Sequence, residues 1–203
     1  MTRYDPVKRV LDVAGALVAV VATLPLQLVV ALAVLLRLGP PVLFVQRRPG
    51  RGGELFPLLK FRSMEPEAPG RTDAERLSRF GRVLRASSLD ELPSFLNIVR
   101  GDMSFVGPRP LLEKYLGRYS PEQARRHEVR PGLTGLAQVS GRNLVSWDDR
   151  LALDIEYVDR RSFALDARIL ARTVGVVFSR RGISAPGSAT VDEFRGPGRS
   201  TDA

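Results

Sequence analysis

An uncharged, apolar run over residues 13–36 constrains this chain more than any other feature of its sequence. At about 1.5 Å per residue, a helix over this run would be about 36 Å long, and the hydrocarbon core of a bilayer is about 30 Å thick. A buried helix of a soluble protein is a poor match, because Thr23 and Gln27 are the most polar residues in the run. A signal peptide is also a poor match, since the run is too long and no small-residue cleavage site follows it. The run therefore predicts a membrane helix.

The charges around the run, and Pro25 at its midpoint, bear on how the helix sits in the bilayer. Lys8 and Arg9 precede the run, and four arginines follow it: Arg37, Arg47, Arg48 and Arg51. Positive residues tend to stay on the cytoplasmic side, so charge on both flanks favours two ends on one face. Pro25 removes a helical hydrogen bond and kinks the helix. The residues alone leave two alternatives open, a re-entrant helix that bends at Pro25 and a tilted transmembrane span.

Composition excludes some classes of chemistry. The chain has no cysteine, so disulfides, thiol catalysis and thiolate metal sites are excluded. His127 is the only histidine, and we interpret it as a surface helix residue rather than a catalytic base. The formal net charge of +9 fits either a coding bias towards arginine or attraction to anionic lipid headgroups and phosphorylated substrates. Aromatic residues make up 7% of the chain and no nucleic-acid-binding motif is present, so we expect no nucleic-acid partner.

The residues after the apolar run predict an α+β, helix-dominated fold. Two strands, over 42–46 and 54–61, are joined by a Gly- and Pro-rich loop and predict a small antiparallel β-hairpin. A polar loop follows over 65–72. Residues 74–86 predict an amphipathic helix, either an ordinary solvated helix or one lying in the lipid headgroup layer, and we favour the second. Amphipathic helices at the membrane interface are thus expected around the active site.

The rest of the chain carries further predicted elements and a tail. Ser120 caps a helix over 121–129, with Pro121 at its first position. Ser146 and Asp149 resemble a capping box that opens a helix to about Tyr157. The remaining predictions are helices over 92–99, from 111 to 115 and over 162–180, and a short strand over 136–139. The domain limits that follow are a membrane anchor over 1–40, a folded domain over 41–183 and a Gly/Ser/Pro/Thr-rich tail over 184–203, which we expect to be disordered.

Two adjacent carboxylates, Asp90 and Glu91, are the first candidates for chemistry. An ionised aspartate can attack phosphorus and hold the phosphoryl group covalently, while a neighbouring carboxylate can relay a proton or bind a divalent cation. Adjacent residues on an α-helix point about 100° apart, so the two share no helix face but can divide these roles where a helix begins. Pro93 fits that placement, because proline is tolerated in a first helical turn. On its own, an Asp-Glu pair is more often a capped, solvated helix start.

The loop Gly107-Pro108-Arg109-Pro110 predicts an anion site. Two prolines limit the backbone freedom around one guanidinium, and the planar fork of arginine suits phosphate oxygens. Lys60, Arg62 and Arg85 are further candidates for neutralising the charge of a pyrophosphate. For any one of these cations alone, solubility is the better explanation.

Taken in order, these motifs resemble those of the bacterial sugar transferase family, the monotopic polyprenyl-phosphate phosphoglycosyl transferases. The resemblance extends over about residues 5–183, in a small form with an anchor and a catalytic domain. Several long motifs in register make it specific. The matching residues are Lys8-Arg9, Asp12, Lys60-Phe61-Arg62-Ser63-Met64, Arg85, Ser88-Leu89-Asp90-Glu91-Leu92-Pro93, Asn97, Gly101-Asp102-Met103-Ser104, Gly107-Pro108-Arg109-Pro110, Arg130-Pro131-Gly132, Thr134-Gly135, Gln138-Val139, Gly141-Arg142 and Leu153-Asp154.

The resemblance implies an enzyme that moves a sugar phosphate from a nucleotide sugar, usually a UDP-sugar, to polyprenyl (undecaprenyl) phosphate. The products would be a polyprenyl-diphosphate sugar and UMP. Asp90 would be the nucleophile that forms a phosphosugar-enzyme intermediate, with Glu91 as its catalytic partner and Mg²⁺ beside Asp90. The other site residues implied by position are Arg85 and Arg109 on phosphate oxygens, and Lys60, Arg62, Gln138 and Arg142 near the nucleotide or the polyprenyl phosphate.

The resemblance also implies a re-entrant anchor kinked at a proline, and a catalytic domain on the cytoplasmic face of the inner membrane. A Ser-Pro pair is common at that kink, whereas here Leu24 precedes Pro25, so Thr23 is the residue expected to bond a carbonyl one turn earlier. The expected partners are the UDP-sugar, the polyprenyl phosphate and membrane lipids, and the sequence is compatible with a homodimer. The alternative function is not enzymatic: a membrane-attached scaffold that binds anionic lipid. A membrane hydrolase of nucleotide sugars is a minor third.

Overall fold

The computed structural model describes residues 4–66, 69–141, 146–179, 193–194 and 196. They form the expected helix-dominated α+β fold, with a long apolar N-terminal helix and a small antiparallel sheet. The helices are α1 (Tyr4–Leu38), α2 (Asp73–Arg76), α3 (Arg79–Ala86), α4 (Phe95–Arg100), α5 (Pro121–Ala124), α6 (Leu136–Val139), α7 (Trp147–Arg160) and α8 (Phe163–Ser179). The strands are β1 (Leu43–Pro49), β2 (Leu55–Phe61), β3 (Ser104–Val106) and β4 (Gly132–Thr134), and 3₁₀ helices cover Arg51–Gly53, Leu89–Ser94, Glu113–Arg118 and Arg125–Glu128.

Helix α1 packs against the rest of the fold on both sides of Pro25. On the N-terminal side, Ala16 is buried against β2 and α4. On the C-terminal side, Val30 and Val34 are buried against β2 and α3. Most side chains between these contacts are exposed, and by length and composition α1 can cross a membrane. Both arms of the helix therefore rest on the same folded unit.

Pro25 lies inside α1, and polar side chains next to it bond within the helix. Because proline has no N–H, the carbonyl of Val21 loses its usual helical donor. Thr23 Oγ1 donates to the carbonyl of Ala19 at 2.6 Å, which confirms the bond predicted for this residue. Gln27 Nε2 donates to Thr23 Oγ1 at 3.0 Å. The two most polar residues of the apolar run thus satisfy each other.

Strands β1 and β2 pair antiparallel, with Leu43 opposite Phe61, and confirm the predicted hairpin. Phe56 and Leu58 are buried at the two-residue spacing of a strand. Lys60 lies on the same side of β2 as Phe56 and Leu58, so packing of this strand into the core also fixes the position of the cation.

Several local predictions take a different form in the structure. The strand predicted over 136–139 is wrong, because Val139 N–H donates to Gly135 O and closes the turn of α6; a short apolar run has no decisive period. The helix predicted over 74–86 is broken into α2 and α3, since the Ser78 hydroxyl accepts from Gly81 N–H and starts a new helix. The helix predicted over 121–129 begins at its expected Ser120 cap but becomes 3₁₀ after α5.

A second, parallel strand pair was not predicted. β3 and β4 are three residues each, with Ser104 beside Gly132 and Val106 beside Thr134. Gly132 permits this pairing, because a Cβ there would lie 2.1 Å from the backbone nitrogen of Gly107. The pair holds the start of the Gly107-Pro108-Arg109-Pro110 loop against β4.

Two residues depart from their predicted surroundings. Phe194 lies in the tail predicted to be disordered, yet it is 1% exposed and packs with Leu111, Tyr115 and Leu151. The apolar area buried by one aromatic ring is enough to dock this residue, although the sequence around it is polar. His127, predicted on the surface, is half-buried with Nδ1 3.2 Å from the carbonyl of Gly50. Burial lowers the pKa of its imidazole to about 4.

Candidate active site

The segment that carries Asp90 and Glu91 begins with an unusual backbone conformation. Ser88 has a φ of +57°, in the left-handed region, and lies two residues after the last residue of α3. It turns the chain into the 3₁₀ helix Leu89–Ser94, whose first turn contains both carboxylates. Ser94 Oγ donates to the carbonyl of Leu59 at 2.7 Å and fixes the far end of this helix to β2. The two carboxylates therefore lie where a helix begins, as the sequence predicted.

Two predicted cations, Lys60 and Arg109, bind one predicted carboxylate, Glu91. Glu91 Oε1 accepts from Lys60 Nζ at 2.6 Å and from Arg109 Nη2 at 2.8 Å. Asp90, whose carboxylate feels the charges of Glu91, Lys60 and Arg109, is 7% exposed. β2, the 3₁₀ helix and the loop after β3 each contribute to this arrangement, which we call the Asp90 cluster (Lys60, Asp90, Glu91 and Arg109).

The two carboxylates differ in proton affinity. Burial, with the charge of Glu91, raises the pKa of the Asp90 carboxyl to about 6, against the attraction of the nearby cations. Burial acts on Glu91 as well, but the charges of Arg109 and Lys60 outweigh it and hold the pKa of Glu91 far below its usual range. Near neutral pH Glu91 is thus an ionised ligand of two cations. Asp90 is ionised too, but its oxygens are the more basic, which suits a nucleophile.

Main-chain contacts hold the loop that carries Arg109. Arg126 Nη2 donates to the carbonyl of Arg109 at 2.7 Å, and Arg48 Nη1 donates to the carbonyl of Pro110 at 3.2 Å. Arg126 is itself buried in an ion pair with Asp154, at 2.7 Å. The Arg109 side chain is 45% exposed, so one side of its guanidinium faces solvent while the other binds Glu91. The contacts therefore hold Arg109 in place and leave part of its guanidinium open to solvent.

The other predicted phosphate residues divide between the site and the anchor. Arg85 Nε donates to Ser63 Oγ at 2.8 Å, and its charge opposes the rise in the pKa of Asp90. Arg62 is not brought to the cluster. Its buried guanidinium donates to the carbonyls of Gly39 at 2.5 Å and of Pro40 at 3.1 Å, just beyond the C-terminus of α1.

Of the two predicted nucleotide residues, one is buried near the start of the Arg109 loop and the other falls outside the described residues. The amide atoms of Gln138 are buried, with no hydrogen-bond partner among the residues that the structure describes. Gly135 separates Gln138 from the loop: a Cβ at Gly135 would lie 2.7 Å from Gln138 Oε1 and 2.2 Å from the carbonyl of Gly107. Arg142 falls within 142–145, outside the described residues.

The carboxylate oxygens at Asp90 would fit a Mg²⁺ ion that takes most of its other ligands from bound phosphate and water. Within the described residues, no group of three or more His, Asp or Glu side chains could enclose a metal ion. Mg²⁺ commonly uses one or two carboxylates together with phosphate oxygens and water. Asp90 is such a carboxylate, and a cation would stabilise its ionised form against the burial that raises its pKa.

The sequence did not predict how the cluster is supported. Ser94 and Arg126 act through contacts between distant segments. Ser88 belongs to a matched motif, but its left-handed backbone conformation was not predicted. Asp154 stood within a matched motif, but its partner Arg126 could not be read from spacing. A cavity of about 710 Å³ lies at the turn of the hairpin between Arg51, His127 and Arg130, and the Asp90 cluster does not line it.

The sequence of this chain is similar to those of one known protein family. The family model described as bacterial sugar transferase matches residues 3–180. An uncharacterized sugar transferase of Bacillus subtilis, EpsL, is 45% identical over 195 residues, which cover 94% of this chain and 96% of the relative. The UDP-glucose:undecaprenyl-phosphate glucose-1-phosphate transferase of Caulobacter vibrioides is 45% identical over 181 residues, 82% of this chain and 68% of that protein. The undecaprenyl-phosphate galactose phosphotransferase of Salmonella typhimurium is 36% identical over 196 residues, 86% of this chain and 41% of that protein.

Proposed function

Since this chain belongs to the bacterial sugar transferase family and is an enzyme of that class, we propose that it transfers a sugar 1-phosphate from a UDP-sugar to undecaprenyl phosphate. The name of the Caulobacter relative supports both the UDP-sugar donor and the undecaprenyl-phosphate acceptor, and the name of the Salmonella relative supports the acceptor. Those names differ in the sugar, glucose in one and galactose in the other, so the proposal specifies a UDP-sugar rather than one sugar. The observation that carries it is the buried Asp90 beside the Glu91–Lys60–Arg109 contacts.

We assign Asp90 as the nucleophile of a two-step transfer. Its carboxylate oxygen forms a bond to the phosphorus that carries the sugar, the anhydride bond to UMP breaks, and UMP leaves with the bridging oxygen. An oxygen of undecaprenyl phosphate then attacks the same phosphorus, and the bond to Asp90 breaks. The carboxylate is restored and the lipid carries a diphosphate sugar. The buried position of Asp90 supports this role, because a poorly solvated carboxylate with a pKa of about 6 is a more basic nucleophile than an exposed one.

Glu91 acts by holding the two cations at the reacting centre. Lys60 and Arg109 both bind Glu91 Oε1, and the Glu91 side chain is 18% exposed. The solvent-facing side of Arg109 is then free to donate hydrogen bonds to phosphate oxygens of the UDP-sugar. Before the donor arrives, the carboxylate keeps the cations in place and limits their mutual repulsion. Positioning of this kind lowers the entropy lost when the diphosphate binds.

We propose Mg²⁺ as the cofactor, beside Asp90. It would neutralise charge on the diphosphate and on departing UMP. Chelation should abolish UMP release and added Mg²⁺ should restore it, whereas activity that survives chelation contradicts this assignment.

We also propose that α1 is re-entrant and that the catalytic domain lies on the cytoplasmic face of the inner membrane. The packing of both arms on one folded unit supports this, as does the positive charge on both flanks. Because the chain has no cysteine, a single cysteine at the exposed positions Val7 or Val45 can be labelled without background. An impermeant maleimide should label both positions from the same side of inverted membrane vesicles. Labelling from opposite sides refutes the re-entrant arrangement.

The decisive assay is UMP release with a panel of UDP-sugars, with and without undecaprenyl phosphate. Asp90→Asn should abolish turnover and any trapped phosphosugar-enzyme species. Asp73→Asn, at an exposed aspartate paired with Arg76, is the matched control and should keep wild-type activity. Full activity in Asp90→Asn would overturn the mechanism. If the wild-type protein releases no UMP from any UDP-sugar yet binds anionic vesicles in a salt-sensitive way, the non-enzymatic scaffold hypothesis is correct.

A further inference from the structure

Phe194 fills an aromatic pocket far from it in sequence. The pocket consists of three rings, Tyr115, Tyr119 and Trp147, whose centroids lie 5.7, 5.5 and 5.3 Å from that of Phe194. Tyr119 stacks on Phe194 with an interplanar angle of 27°, and Tyr115 meets it edge-on at 78°. Phe194 is 1% exposed, so the pocket encloses the whole ring.

Glu193 fixes the orientation of this contact at the rim of the pocket. Its Oε1 accepts from Lys114 Nζ at 2.9 Å and from Arg118 Nη1 at 2.8 Å. Arg118 also donates to the carbonyl of Phe194 at 2.5 Å. The side chains of these ion pairs are between a third and a half exposed, so each pair contributes little alone. Burial of the ring supplies the attraction, and the carboxylate and carbonyl contacts set its register.

The aromatic pocket is connected to the Arg109 loop by two routes. Arg126 Nη1 lies 3.4 Å from the hydroxyl of Tyr119 and donates to it, while Nη2 of the same guanidinium donates to the carbonyl of Arg109. Leu111, two residues after Arg109, packs in the same buried cluster as Phe194. A ring held in the pocket therefore restrains both the residue behind Arg109 and the chain just beyond it.

We propose that Glu193 and Phe194 form a C-terminal clamp that positions the loop carrying Arg109, which makes them positioning residues for the transfer reaction. The clamp acts through Tyr119, Arg126 and Leu111 and touches no substrate. Without it the loop samples more conformations, and Arg109 meets the donor diphosphate less often in the productive geometry. The kinetic part of this inference rests on the proposed function, but the docking of the tail and the order of the loop can be measured without it.

Trp147 reports directly on the docking because it is the only tryptophan in the chain. Phe194→Ala in the full-length protein should open the pocket to water and shift the Trp147 emission to longer wavelength. Phe194→Leu keeps an apolar side chain and should shift it less. Phe163→Ala, the same substitution at a residue 64% exposed on α8, is the control and should leave the emission unchanged.

The loop and the reaction provide the second and third readouts. In Phe194→Ala, hydrogen exchange over 107–112 should become faster, and KM for the UDP-sugar should rise on the order of tenfold with a smaller change in kcat. Glu193→Gln keeps the ring and should produce the same changes more weakly. Its matched control is Glu156→Gln, at an exposed glutamate paired with Arg160. Glu193→Gln also serves if Phe194→Ala does not fold.

The outcomes separate the clamp from the proposed function. An unchanged Trp147 emission in Phe194→Ala overturns the docking itself. A shifted emission with unchanged exchange over 107–112 and unchanged KM shows that the ring only fills space, and the clamp is then wrong. If the wild-type protein releases no UMP from any UDP-sugar, the proposed function fails, and the emission and exchange measurements still decide whether the tail orders the loop.

Discussion

The raised pKa of Asp90, the proposed nucleophile, predicts that its ionised carboxylate destabilises the folded protein near neutral pH. The carboxyl has a pKa of about 6 in the fold against an ordinary value of 3.8. Between these two values the folded state binds more protons than the unfolded state, so stability falls as pH rises through this window. The loss is absent below about pH 4 and complete above about pH 6. Asp90→Asn removes the buried charge and should therefore stabilise the protein, but only at the higher pH.

The size of the effect follows from the shift. At about 1.36 kcal/mol per unit, a rise from 3.8 to about 6 corresponds to about 3 kcal/mol. Asp90 is 7% exposed, so solvent screening takes little from this value. For a chain of this size about 1 kcal/mol moves Tm by about 2–4 °C, so the variant should gain about 6–12 °C at pH 8.

Thermal unfolding of the detergent-solubilised full chain at pH 8, 6 and 4 measures this. The gain of Asp90→Asn over wild type should be largest at pH 8 and should vanish near pH 4. Asp73→Asn, the exposed control, should change Tm little and equally at each pH. A variant no more stable than wild type at pH 8, or one with the same gain at pH 4, would show that burial of Asp90 carries no such penalty.

Three further predictions concern the support of the site. Glu91→Gln removes a charge that raises the pKa of Asp90 and frees Lys60 and Arg109 to lower it, so the acid limb of kcat/KM for UMP release should move below about pH 6; an unmoved limb contradicts the pairing. Ser88→Gly should stabilise the fold by up to about 1 kcal/mol, since glycine tolerates a positive φ, whereas Ser88→Val should destabilise it; denaturant midpoints test both. Asp154→Ala leaves the buried Arg126 without its carboxylate and should cost about 3–5 kcal/mol, compared in the same denaturation assay with the exposed control Asp148→Ala.

Local rules in the sequence predicted the parts of the fold that local contacts decide. The Thr23 bond to Ala19, the Ser120 cap and the hairpin each depend on residues within a few positions of one another. The placement of Asp90 and Glu91 at the start of a helix was predictable for the same reason, from the nearby Pro93.

Contacts between distant segments escaped prediction. Arg62 stands in a basic motif typical of phosphate binding, yet its guanidinium lies on carbonyls that follow α1, more than 20 positions earlier in the chain. Arg126 and Phe194 reach the Arg109 loop from segments whose own sequence gives no sign of it. In α6, four residues were too few to show a period that separates helix from strand, and the hydrogen bond from Val139 N–H to the carbonyl of Gly135 shows that they form a helical turn.

Because both arms of α1 pack on the folded domain, this apolar helix is part of the fold and not a separable anchor. A truncation that begins after Leu38 would uncover the apolar faces of β2, α3 and α4 that now cover Ala16, Val30 and Val34. It would also strip Arg62 of one of its carbonyl acceptors, a loss that is expensive for a buried cation. Attempts to obtain a water-soluble enzyme by excision should therefore yield aggregates, and preparation in nanodiscs with the anchor intact is the rational route.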